Sequence, residues 1–148
     1  MQRQTIILDT NIWVSYIIKR QLDQLVTAKY DYALTFLSCP ELVLELTDIL
    51  QRPKIREIIG ENHLQFIQFH QYHCLNHAIA RRTVPDKLPQ IYVRELIPDK
   101  KDIFLFDLAA TYEATYLVTG DRDLLGIQDR ILHVQIISLS EFKRATKF

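Results

Sequence analysis

Four acidic residues far apart in the chain, Asp9, Glu45, Asp102 and Asp121, occupy positions where a carboxylate has chemical consequences. Asp9 ends the β-prone apolar run Ile6-Ile7-Leu8 and is followed by Thr10-Asn11, a polar pair suited to starting a helix. Burying a charge at the end of such a strand is expensive unless something pairs it. Four carboxylates gathered in one cleft repel one another until a cation neutralises them, and an all-oxygen ligand set suits Mg²⁺ or Mn²⁺ rather than zinc. The competing reading is plainer. Aspartates at strand ends and helix starts commonly act as turns and caps, and an acid such as Asp102 in the first turn of a helix is favoured by the helix dipole.

Whether the four acids meet depends on the elements that carry them. Apolar patterning places strands at Thr5–Asp9, Ala33–Leu37, Ala78–Val84, Thr115–Thr119 and His133–Ser138. Helical patterns lie between them at Asn11–Ile18, Leu22–Lys29, Pro40–Gln51, Glu61–His77 and Asp102–Glu113, with a short one near Asp123 and another from Ser140. Strands alternating with helices predict an α/β fold with a parallel sheet covered on both faces. In such sheets ligands sit beyond the carboxyl ends of the strands, where strand order reverses. With strand order 3-2-1-4-5, the first and fourth strands are neighbours at that point, and their ends deliver Asp9 and Asp121 to one cleft.

The other two acids are placed by helix geometry. Leu42, Val43, Leu46, Ile49 and Leu50 form one apolar stripe, and at about 100° per residue Glu45 falls on its edge, where a core-facing helix borders a cleft. In PDKKDIFLFDLAATYEA, Asp99 is suited to an N-cap, Asp102 falls in the first turn, and the residues beyond are apolar nearly all round. That pattern predicts a buried helix whose acidic start lies at the sheet's edge.

The chain's 148 residues are expected to form one domain spanning 1–148. Eighteen basic residues balance eighteen acidic ones, so overall charge selects no partner. Two cysteines, Cys39 and Cys74, lie outside any Cys-x-x-Cys pair, and the apolar run after Arg3 is cut off at Asp9. A reducing, cytoplasmic setting is therefore expected. No stretch approaches the roughly 20 apolar residues needed to cross a bilayer, so no membrane partner is expected.

Taken in order, ILDTN, SCPELVLEL followed by LQRPKI, Asp99-x-x-Asp102 before an apolar helix, and LVTGDRDLL resemble the PIN domain, in particular the toxin components of bacterial toxin–antitoxin systems. The resemblance runs from Ile6 to about Phe142. It implies a three-layer α/β/α sandwich and a Mg²⁺- or Mn²⁺-dependent ribonuclease, with RNA as substrate, a cognate antitoxin protein as partner, and room for a homodimer. It places the family's four acids on Asp9, Glu45, Asp102 and Asp121, with a frequent fifth on Asp123. The polar helpers fall on Thr10, Asn11, Ser38 and Thr119. The family group's more acidic D-P-D-D run is here Asp99-Lys100-Lys101-Asp102, which keeps the spacing and changes the local charge.

Lys100, Lys101 and Arg122 adjoin proposed ligands and are the favoured substrate contacts. Arg52, Lys54, Arg56, Arg81 and Arg82 are read mainly as solvated surface. His63, His70, His73 and His77 share a helix face, but His70 and His77 would be about 10 Å apart along the axis, so a polar face or partner surface is expected over a zinc site. Trp13 and Tyr16 are read as core. Two rivals accompany the nuclease reading. A phosphatase with an aspartate nucleophile lacks its second acid, since Asn11 stands there. A non-catalytic acidic cleft that holds metal or RNA needs no turnover at all.

Overall fold

In the computed structural model, which describes residues 3–76 and 94–148, the strand β1 (Gln4–Leu8) lies at the centre of a five-stranded parallel sheet. Ile6, Ile7 and Leu8 are all completely buried. Successive strand residues point to opposite faces, so burial of all three requires cover on both sides and makes the fold a three-layer sandwich. Phe36 and Leu37 on β2 (Leu34–Ser38) and Leu117 and Val118 on β4 (Tyr116–Val118) repeat the pattern.

The order is β3-β2-β1-β4-β5, with β3 at Leu75–Asn76 and β5 at Gln135–Ile137, the order on which the meeting of Asp9 and Asp121 in one cleft depended. Ile6 pairs with Phe36 on one side and Tyr116 on the other. The chain therefore winds outward from β1 in one direction through β2 and β3, and in the other through β4 and β5. The reversal falls between β1 and β4.

Helices α1 (Thr10–Ile18) and α2 (Leu22–Asp31) link β1 to β2. Helices α3 (Pro40–Leu50), α4 (Pro53–Ile59) and α5 (His63–His73) follow β2. A 3₁₀ turn at Lys100–Asp102 leads into α6 (Ile103–Thr111), and α7 (Arg122–Leu125) and α8 (Leu139–Thr146) complete the described elements. No helix among the described residues is long and apolar enough to cross a membrane.

Three differences from the sequence expectation have local causes. The helix expected over Glu61–His77 stops at His73, and the chain turns at Cys74 into β3, whose Leu75 pairs with Leu37. The third strand thus begins at Leu75; the expected span Ala78–Val84 lies outside the described residues. Helix α4 was not expected: it has only seven residues, and its sequence signal is Pro53 at the first helical position. The helix expected from Asp102 is split, because Asp99 caps the 3₁₀ turn through its bond from the Lys101 N–H at 2.9 Å, and α6 begins one residue later at Ile103. Trp13 and Tyr16 are core residues, as expected.

Candidate active site

The site is built outward from Asp9. Its backbone N–H continues the β1–β4 ladder by bonding the Val118 carbonyl at 2.9 Å, which fixes Asp9 beside Thr119 just past both strand ends. The side chain is only 5 % exposed. One carboxylate oxygen accepts from the Thr10 N–H at 2.7 Å and caps α1, and the other accepts from the Thr119 hydroxyl at 2.7 Å. Thr119 in turn accepts from the Asp121 N–H at 3.0 Å. A single hydroxyl thereby ties the two acids of the switch point together. Asp121 caps α7 by accepting from the Asp123 N–H at 2.9 Å, and Asp123 stands exposed in the first turn of that helix.

Glu45 and Asp102 are half-buried and enter from α3 and from the start of α6. Asp102 occupies the N-cap position of α6, yet its side chain makes no capping hydrogen bond. The simple helix-cap role is therefore not the one it fills. Its carboxyl is pushed up to about 7, first by burial and then by repulsion from Asp9, Asp99, Asp121 and Glu45. Glu45 is raised by burial and by the charges of Asp9 and Asp99, against an opposing pull from the Thr10 hydroxyl and Arg52. Asp9 is raised by burial and by Asp121, although the Thr119 and Thr10 bonds favour its carboxylate. Acids from four separate segments thus share one field.

The Thr10 hydroxyl is buried and close enough to Glu45 to favour its charged form, yet it completes no hydrogen bond. A buried polar atom without a partner, set among mutually repelling carboxylates, fits a hard divalent cation with its water shell. Among the described residues, no three His, Cys, Asp or Glu side chains stand close enough together to ligate one ion.

Asn11 is exposed on the first turn of α1, and its side chain makes no hydrogen bond among the described residues. Ser38 is buried at the end of β2. Its hydroxyl lies 3.4 Å from Nε2 of His70. His70 itself is not on a polar helix face: it is 1 % exposed, packs edge-on against Trp13 with ring centroids 4.6 Å apart, and is pushed down to about 4 by burial. His63 and His73 are half-buried, and His77, Arg81 and Arg82 lie outside the described residues. Lys100, Lys101 and Arg122 are exposed, with no ion pair among the described residues, and each adjoins one of the acids. Sequence reasoning took Asp99 only as a cap; it does cap, and its charge also bears on Glu45 and Asp102. The signal that could have found it is the spacing of three that sets it one turn from Asp102.

Set beside known proteins, residues 5–123 match the family model of the PIN domain, and the chain belongs to that family. Its fold is similar to the crystal structure of VapBC2 from Rickettsia felis bound to a DNA fragment from their promoter. That similarity has a TM-score of 0.58 and 18 % sequence identity over 91 % of this chain and 98 % of the other. No curated protein matches the chain.

Proposed function

We propose that this PIN domain is a metal-dependent endoribonuclease and the toxin of a toxin–antitoxin pair. The observation that carries the nuclease reading is Asp102, half-buried, doing no capping, and repelled by four other acids at the carboxyl end of the sheet. The fold's likeness to VapBC2 supports the toxin assignment and a cognate antitoxin as partner.

Asp9, Glu45, Asp102 and Asp121 would hold Mg²⁺ or Mn²⁺, with Asp123 at the rim; the ion would supply an activated water and neutralise charge building on phosphorus. The chain's own residues do the positioning. Thr119 locks Asp9 and aligns the Asp121 backbone, so neither acid can swing independently. The buried Thr10 hydroxyl, beside Glu45, offers one more oxygen on the same wall. Lys100, Lys101 and Arg122 supply exposed positive charge beside the acids, where a phosphate backbone must pass.

The rival reading is an acidic cleft that binds without turnover, and the spread of the carboxylates as they stand favours it. Incubation of single-stranded and structured RNAs with Mg²⁺, Mn²⁺, Ca²⁺ or chelator separates the two. Cleavage with Mg²⁺ or Mn²⁺, little with Ca²⁺, none in chelator, and products bearing a 5′ phosphate are expected. Cleavage that persists in chelator and leaves cyclic 2′,3′-phosphates would reject the mechanism, and metal-independent RNA binding without cleavage would favour the rival.

A further inference from the structure

An acidic cleft that takes in RNA needs positive charge beside the incoming phosphates, and Arg52 is an exposed cation at the corner between α3 and α4. Glu45, Asp48 and Arg52 follow one another at spacings of three and four, which stacks them along one side of α3 and its last turn. The turn keeps its helical shape past Leu50: Gln51 is right-handed helical, and the Arg52 N–H bonds the Ile49 carbonyl at 3.1 Å. The Arg52 carbonyl then accepts from the Ile55 and Arg56 N–H groups at 3.0 and 2.9 Å as α4 begins at Pro53. The backbone of Arg52 is therefore clamped between two helices while its side chain remains 61 % exposed.

The guanidinium rests 3.1 Å from Asp48, an exposed pair of the kind that holds only weakly. Its charge reaches Glu45, where it favours the carboxylate. Arg56, four residues on, differs: its side chain is only a third exposed and sits 2.6 Å from Glu61. A planar guanidinium with paired donors can fork onto a phosphate as well as onto a carboxylate.

Resting on the ribonuclease reading, we propose that Arg52 is a substrate-binding residue, whose guanidinium leaves Asp48 and forks onto a phosphate flanking the one cut at the acid site. Asp48 parks the side chain in the free protein. No bond is made or broken in this step; one ion pair replaces another.

The test is binding of a labelled single-stranded RNA across a salt series, with steady-state cleavage in Mn²⁺, for wild type, Arg52→Ala, Arg52→Lys and Asp48→Asn. Arg52→Ala is expected to raise KM and Kd about 10-fold with kcat within about twofold, and to reduce the log–log salt slope by about 0.7, the loss of one phosphate contact on a single strand. Arg52→Lys should keep the slope but recover only part of the affinity, because an ammonium cannot fork. Asp48→Asn should bind RNA as well as wild type or more tightly. An Arg52→Ala protein with wild-type KM and salt slope would overturn the proposal, as would an Asp48→Asn loss equal to that of Arg52→Ala, which would mark the pair as structural. Wild type that cleaves RNA while Arg52→Ala is unchanged leaves the nuclease reading standing; wild type that neither binds nor cleaves overturns both.

Discussion

The β1–α1 junction and the turn leading into α6 both bring a carboxyl group to the same cleft, but by different means. Asp9 is held by two short bonds, to the Thr10 N–H and the Thr119 hydroxyl, so it joins a strand, a helix and the neighbouring strand while facing the cleft. Asp102 is held by nothing at its oxygens that caps its own helix, and the cap of the preceding turn has been taken by Asp99. The junction therefore holds its carboxylate with two bonds, whereas the turn gives the capping bond to Asp99 and leaves the Asp102 carboxyl uncapped. Conservative substitution at the two sites should expose this division.

The largest effect expected is on cleavage, and it is common to both acids: Asp9→Ala and Asp102→Asn should each lower RNA cleavage in Mn²⁺ by about 100-fold or more. The comparison lies in stability. Asp9→Ala strands the Thr10 N–H and the Thr119 hydroxyl, so it should destabilise by about 1–3 kcal/mol in chelator. Asp102→Asn removes a repelled charge and breaks no cap, so its melting temperature in chelator should equal or exceed that of wild type. Thermal melts of the two variants decide it. A lower melting point for Asp102→Asn would show that the turn supports as much as the junction does.

A smaller effect is the dependence on pH. The Asp102 carboxyl is raised to about 7, so between the ordinary aspartate range and pH 7 the folded chain holds a proton that the unfolded chain has lost. Its contribution to stability is full below that window and is lost as pH rises through 7. His70 runs the other way. Burial lowers it to about 4, so stability gained from keeping the ring neutral is absent below 4 and complete above 6.5. In chelator, the melting-temperature difference between Asp102→Asn and wild type should be near zero at pH 4 and grow, in favour of the variant, up to pH 8. A difference that is constant with pH would mean that Asp102 is not desolvated and repelled as described.

The smallest effect sharpens the contrast between the two ends of the sheet. At the amino end Ala33 has a φ of 53°, a left-handed conformation that closes α2 just before β2, and no proposed site residue lies there. Ala33→Gly should stabilise by about 1 kcal/mol, or about 2–4 °C for a chain of this size, with cleavage unchanged. A change in kcat would show that strain at the amino end is coupled to the acids at the other.

Much of this arrangement is legible in the sequence because it rests on local rules. Ile6-Ile7-Leu8 running into Asp9, and Leu117-Val118 running into Thr119 and Asp121, report two buried strands ending on polar groups; Pro40 and the apolar stripe behind it report α3. What is not legible depends on which surfaces meet. A histidine at helical spacing looks the same whether it faces water or Trp13, and only the packing of α5 decides that His70 is buried against Ser38. Leu75–Asn76 closes a helical pattern, and only its pairing with Leu37 and Ser38 marks it as a strand among the described residues.

The sequence by itself determined the alternating elements and the acids that end the central strands, because apolar periodicity and the cost of burying charge are written residue by residue. Only the tertiary structure decided that Thr119 binds Asp9 across 110 residues, that the Asp102 carboxyl lies in the field of Asp9, Asp121 and Glu45, and that the Arg52 charge reaches Glu45. Those facts belong to distances between segments, and repulsion and hydrogen bonding act through distance in space rather than along the chain.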